Sequence, residues 1–183
     1  KEMKNIFSTG IDVYNLKDID NEKMVEYAEQ YSLRGKEKET ADILKNDLFS
    51  KLNNVVEEKM NVMFNKIYND KYYIKLDQAW ANVDADPLIC VPHTHKGHFI
   101  VAVYYPLSTD GAISFLNPMP NLLAHQDLKM IGDYNEYNSD FYTQYVKTGD
   151  LVVFNAMLHH FAGILKDKRI SIAYNGVVLP NDK

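Results

Sequence analysis

The chain reads as a mainly β protein with helices gathered towards its N-terminus. Two patterns say so. Residues 1–70 carry apolar stripes at the period of a helix, whereas residues 71–183 break into short runs rich in Val, Ile, Tyr and Phe. Pro, Gly, Asp and Asn punctuate those runs, as turns require. Many short strands joined by such turns indicate an antiparallel sandwich or barrel. The helices would then cover the outer face of one sheet.

The opening stretch Lys4–Tyr14 alternates apolar residues at Ile11 and Val13, which predicts one or two short edge strands. Asp20 or Asn21 is placed to cap a helix running through Glu22–Tyr31, with Met24, Tyr27, Ala28 and Tyr31 on its buried face and Gly35 ending it. After the charged link Lys36–Glu39, a longer helix is expected from Ala41 to Tyr68. Its stripe is Leu44, Leu48, Leu52, Val55, Val56, Met60, Met63, Phe64 and Ile67, and the intervening Lys and Glu residues form a solvated face. Strands are expected over Lys71–Trp80, Leu88–Val91, Phe99–Tyr105, Ala112–Phe115, Leu151–Phe154 and Arg169–Val178. Ser108-Thr109-Asp110-Gly111 reads as a hairpin turn. The polar stretch 117–148 reads as a long loop, and loops of that length in compact proteins usually serve as lids or binding segments.

At 183 residues the chain can enclose one hydrophobic core, so a single domain spanning 1–183 is expected: 1–70 as helical support, 71–183 as the β core. No apolar run approaches the ~18–20 residues of a membrane span, and no basic segment followed by an apolar core opens the sequence. A cytoplasmic location is the expectation. The formal charge of −5 argues against nucleic acid as the main partner. The single cysteine, Cys90, excludes an internal disulfide, fits a reducing compartment, and between Ile89 and Val91 reads as a small buried hydrophobe. An exposed strand edge near the N-terminus would allow a homodimer.

The chemistry lies in the histidines. Five of the six fall in two clusters, His93-Thr94-His95-Lys96-Gly97-His98 and His159-His160. Residues two apart in a strand point to the same side, so His93 and His95 can face one cavity if the chain is extended there. Neutral imidazole suits iron, copper, zinc and nickel. His160, at the end of the Leu151–Phe154 strand, is the best third ligand; His98 is a substitute, and Asp84 or Asp86 is close enough in sequence to supply a carboxylate. His159 would point away from its neighbour, and His125 stands alone in a loop. Nine residues beyond His160, Arg169 opens an otherwise apolar strand. Its guanidinium fork matches a carboxylate, and Ser171 on the same side adds a hydroxyl. Together they could hold the distal carboxylate of 2-oxoglutarate. The plainer role for Arg169 is a surface salt bridge to Asp167 or another acid.

From Trp80 to Asn175 the sequence resembles the small 2-oxoglutarate-Fe(II) oxygenases of bacterial and phage type, relatives of the prolyl hydroxylases. The residues that carry this are Trp80-Ala81-Asn82, His93-Thr94-His95, Tyr104-Tyr105, the run Gly149 to His160, and Arg169-Ile170-Ser171-Ile172-Ala173-Tyr174-Asn175. The departures are Asn155-Ala156 for the usual Pro-Ser, Tyr174 for Phe, and Val101-Ala102 where Ser-Gly is common. The slot two after His93, where many non-haem iron sites carry a carboxylate, holds His95.

The resemblance implies a double-stranded β-helix, or jelly roll, with Fe(II) as cofactor and 2-oxoglutarate and dioxygen as co-substrates. An unknown acceptor, a peptide or small molecule, would be hydroxylated with release of succinate and carbon dioxide. It implies His93, His95 and His160 as metal ligands, Arg169, Ser171 and Tyr105 as 2-oxoglutarate contacts, and Trp80, Asn82 and Asn175 on the substrate side. Two other functions compete. One is a cupin-like three-histidine metal enzyme that does not use 2-oxoglutarate; the other is a non-catalytic binding module on the same scaffold.

Overall fold

The computed structural model describes residues 8–33, 43–84, 91–119, 133, 135, 138–162 and 167–181. In chain order the elements are β1 (Ile11–Asn15), α1 (Asn21–Leu33), α2 (Asp47–Ile67), β2 (Tyr72–Asp84), β3 (Ile100–Leu107), β4 (Ala112–Leu116), β5 (Phe141–Tyr145), β6 (Asp150–Asn155), β7 (His160–Ala162) and β8 (Arg169–Pro180). The expected features at Gly35, Lys36–Glu39, Asp86, Leu88–Cys90 and His125 lie outside the described residues. Val91 belongs to no strand and is exposed.

Two antiparallel sheets form, one in the order β1-β6-β3-β8-β2 and one in the order β5-β4-β7. The central strands β3 and β6 are apolar on both faces because both faces are covered. Ile100, Ala102, Tyr104, Leu151 and Val153 pack on the helix side with Leu52, Val56, Met60 and Phe64 of α2. Val101, Val103, Tyr105, Val152 and Phe154 face the second sheet, where they meet Ile113 and Phe115. Phe115 and Phe154 pack edge to face at 4.9 Å between ring centroids.

The Asp20 side chain accepts from Lys23 N (3.4 Å), which makes Asp20 the cap of α1. The second helix starts later than its stripe suggested. Asn46 is extended and its side chain accepts from Leu48 N, so the helix begins at Asp47. Phe49 joins the buried face of α2, packing edge to face on Tyr27, whereas Ile67 in the last turn is 54% exposed. Gly176 lets α2 approach β8: a Cβ there would stand 2.4 Å from Ile74 Cγ2 and 2.9 Å from Met60 Cε. On the neighbouring strand α2 replaces a missing strand partner. Asn61 donates to Ile74 O and accepts from Ile74 N, both at 2.8 Å, and Glu57 accepts from Leu76 N at 3.0 Å. The edge of β2 is thereby capped at Ile74 and Leu76.

Three expectations change. Ser108–Gly111 does not join a hairpin: β3 pairs with β6 and β8, β4 with β5 and β7, so this turn carries the chain from one sheet to the other. The stretch 117–148 is not all loop, for β5 lies in it. Its aromatic residues are largely exposed, so no apolar alternation marks it. His160 does not end the Leu151–Phe154 strand but opens the three-residue β7.

A one-residue bulge in β2 decides which side chains face inward. Leu76 pairs with Gly176 and Gln78 with Asn175, leaving Asp77 as the extra residue. Before the bulge, Ile74 and Leu76 face the helices; after it, Ala79 and Ala81 do. Gln78, Trp80, Asn82 and Asp84 therefore point to the inter-sheet side, opposite Asn175, Ala173, Ser171 and Arg169 of β8.

Candidate metal centre

His93, His95 and His160 converge. One potential ligand atom from each lies within 4.8 Å of the others, and the ring centroids are 4.4, 5.0 and 5.3 Å apart. The 91–99 segment reaches this position without becoming a regular strand. His93 and His160 exchange backbone hydrogen bonds of 3.0 Å, and His95 N donates to Ala156 O at 2.9 Å. The extended strand expected through both histidines is thus replaced by an isolated bridge, yet the two imidazoles still stack at 24°. Gly97, at φ 91°, then turns the chain away.

Each imidazole is held through Nδ1. His93 Nδ1 lies 3.0 Å from Val91 O, His95 Nδ1 2.5 Å from Asn175 Oδ1, and His160 Nδ1 3.0 Å from Leu158 O. All three partners are oxygen acceptors, which favour a proton on Nδ1; for His95 and His160 this leaves the Nε2 lone pair to bind a ligand. Metal-binding histidines are oriented in this way. Burial pushes the His160 pKa down to about 4, reinforced by the neighbouring imidazoles and opposed by the Leu158 carbonyl. Burial lowers that of His95 as well. Both rings are neutral near pH 7, the state a metal requires. Among the described residues this trio has the donor set and spacing for a divalent cation, with imidazole chemistry that suits iron.

Among the described residues the other candidate ligands do not join it. His98 Nε2 lies 3.3 Å from Asp77 Oδ2, His159 is exposed, and Asp84 is committed elsewhere. Asp84 Oδ2 accepts from Arg169 Nη2 (2.6 Å) and Nε (3.1 Å), while Arg169 Nη1 donates to Ala112 O (3.1 Å). Arg169 is 4% exposed, so its ion pair is internal. The alternative partner, Asp167, instead accepts from the Thr109 hydroxyl at 3.0 Å. Two of the five guanidinium N–H groups keep no protein partner among the described residues.

Around the arginine, Ser171 accepts from Asn82 at 3.4 Å. Tyr105 faces the same inner side; burial pushes its phenol well above the ordinary value, with the charge of Arg169 partly offsetting. Trp80 stacks on His95 at 5.7 Å and 22°. Asn175, expected on the substrate side, holds His95, and its Nδ2 donates to Gln78 Oε1 at 2.9 Å. Sequence reading missed Gln78 altogether. The available signal was the switch of apolar positions from even (Ile74, Leu76) to odd (Ala79, Ala81), which marks the bulge. A groove of about 660 Å³ opens between Ile11, Phe115, Met119, Phe141, Tyr142 and Leu158. Phe115 is shared between that groove and the His160 ring, 6.3 Å away.

Three converging imidazoles and, on the inner face of the larger sheet, a buried guanidinium define a mainly β protein with the donor set for a divalent metal. Residues 78–175 match the family described as "Putative 2OG-Fe(II) oxygenase". The chain belongs to that family and is an Fe(II)- and 2-oxoglutarate-dependent oxygenase. Among solved structures it is similar to HygX from Streptomyces hygroscopicus with nickel and 2-oxoglutarate bound (11% identity, 95% of this chain and 84% of that one, TM-score 0.61). It is similar also to the epimerase SnoN in complex with Fe3+, alpha ketoglutarate and nogalamycin RO (13%, 94% and 82%, 0.62). A third is AviO1 from Streptomyces viridochromogenes Tue57 (9%, 92% and 90%, 0.60). At these identities the likeness is one of fold. No curated protein matches the sequence. No described helix is long and apolar enough to cross a membrane.

Proposed function

We propose that the chain hydroxylates an acceptor, a peptide or small molecule, with His93, His95 and His160 holding Fe(II) through their Nε2 atoms. The observation that carries this is the convergence of three imidazoles whose Nδ1 atoms all face oxygen acceptors. Bound there, the iron supplies oxidising power: dioxygen and 2-oxoglutarate are consumed, succinate and carbon dioxide leave, and a C–H bond of the acceptor gains a hydroxyl.

The chain's own residues position the partners. Arg169 offers its two remaining N–H groups to the distal carboxylate of 2-oxoglutarate, with the Ser171 and Tyr105 hydroxyls beside it. Asp84 keeps the guanidinium turned inward. Val101, Val103 and Phe154 exclude water from the inter-sheet side. The Trp80 ring and the Asn82 amide border the acceptor's approach. The two sheets are read as the halves of a double-stranded β-helix, and residues 1–183 as one domain. Family membership sets aside the non-catalytic binding module and supports the 2-oxoglutarate enzyme over a cupin-like one that does without it.

The test is succinate formation from 2-oxoglutarate. It is expected to require Fe(II) and dioxygen, to vanish in His160→Ala, and to need a much higher 2-oxoglutarate concentration in Arg169→Met. Turnover in Arg169→Met with an unchanged 2-oxoglutarate requirement would remove the anchor. Turnover in His160→Ala would remove the metal assignment.

A further inference from the structure

We infer that Gln78 and Asn175 form a positioning relay that fixes the proton of His95 on Nδ1 and so keeps its Nε2 open. The β2 bulge at Asp77 is what brings Gln78 into that relay. The metal-binding consequence rests on the proposed iron site; the tautomer itself does not.

His93 and His160 are held by backbone carbonyls, which can only accept. His95 is held by a side-chain amide, which has an accepting and a donating end. With Asn175 Oδ1 towards His95, as observed at 2.5 Å, Nδ1 bears the proton. Were the amide turned over, its N–H would donate to Nδ1, the proton would move to Nε2, and the nitrogen left for a ligand would lose its lone pair. Asn175 is 4% exposed, so bulk water does not settle its orientation. Gln78 does: its Oε1 accepts from Asn175 Nδ2 at 2.9 Å. Turning the asparagine over would set one carbonyl oxygen against another unless the Gln78 amide, which is exposed, turned with it.

The bulge makes this contact available. With an unbroken register Asp77 would stand opposite Asn175, and Gln78 would turn towards the helices. With the bulge, Gln78 pairs with Asn175, while the Asp77 carboxylate is directed to His98. Trp80, two residues further on the same face, stacks on the His95 ring and limits its rotation. One inserted residue thus supplies both the acceptor that orients the amide and the indole that flanks the ring.

The experiment uses long-range ¹H–¹⁵N NMR of the imidazoles in metal-free protein, then cobalt(II) titration. Wild type is expected to show His95 as the Nδ1–H tautomer. Gln78→Leu is expected to mix the tautomers and weaken cobalt(II) binding by about 10–100-fold, the usual effect of losing such an outer partner. Gln78→Glu, which keeps an acceptor, is expected to stay close to wild type. In Asn175→Asp the carboxylate can only accept, so adding Gln78→Leu to that variant is expected to change neither tautomer nor affinity.

An unmixed His95 tautomer in a folded Gln78→Leu protein, judged by far-UV circular dichroism, would overturn the relay. So would equal damage from Gln78→Leu in the Asn and Asp backgrounds. If the tautomer responds as expected but wild type binds no cobalt(II), the relay stands and the iron site falls.

Discussion

Asp84→Ala isolates the internal ion pair. Arg169 is 4% exposed and donates two hydrogen bonds, of 2.6 and 3.1 Å, to the single oxygen Asp84 Oδ2. Its one other protein acceptor among the described residues is Ala112 O. A guanidinium does not shed its proton in a protein, so removing the carboxylate leaves a buried charge without its counter-ion. Breaking a buried pair from one side costs about 3–5 kcal/mol. For a chain of this size each kcal/mol moves Tm by about 2–4 °C, so a fall of about 6–20 °C is expected. Urea denaturation and a thermal melt measure it. Asp84→Leu combined with Arg169→Met should recover most of the loss, because no charge is then buried. The single variant also reports on the anchor: with nickel(II) present, 2-oxoglutarate should raise the Tm of Asp84→Ala by more than that of wild type, since its carboxylate can take the vacated fork. A loss below about 1 kcal/mol would refute the claim that this charge depends on Asp84. Equal shifts with 2-oxoglutarate would refute the anchor.

Other consequences concern pH and packing. In metal-free protein His160 has its folded pKa near 4, below the unfolded value of about 6.5. Between those values the unfolded chain binds a proton that the folded chain refuses. The stability is therefore complete above about pH 6.5 and declines towards pH 4, by about 3 kcal/mol in total. Urea midpoints across that range should fall less steeply in His160→Gln, and identical slopes would contradict the burial assigned to this ring. Asn61→Ala strips both backbone groups of Ile74 of their side-chain partner and should cost about 1–3 kcal/mol in urea unfolding; a neutral result would mean that water replaces the amide freely. Gly176→Ala drives a methyl into Ile74 and Met60 and should cost about 1–3 kcal/mol, whereas a gain in Tm would show that α2 is free to move outward.

Much of this protein follows from local pattern. The 3.6-residue stripe of α2 and the doubly apolar runs of β3 and β6 were legible because burial on one face or two writes itself into residue choice. The convergence of the histidine pair two apart with the later His160 was legible because few residue types offer a metal a nitrogen donor. What the sequence left open was which side chains meet. The backbone bridge between His93 and His160, the Asp84–Arg169 pair and the strand pairing that sets Gln78 opposite Asn175 join residues 67, 85 and 97 positions apart. A bulge of one residue reverses the facing of everything after it, and its energy depends on what waits on each side of the sheet. Residue choice is dictated by the local surroundings of each strand and helix, but register is settled only when both sheets and α2 close on one another, and that decided which amide holds His95 and which acid holds Arg169.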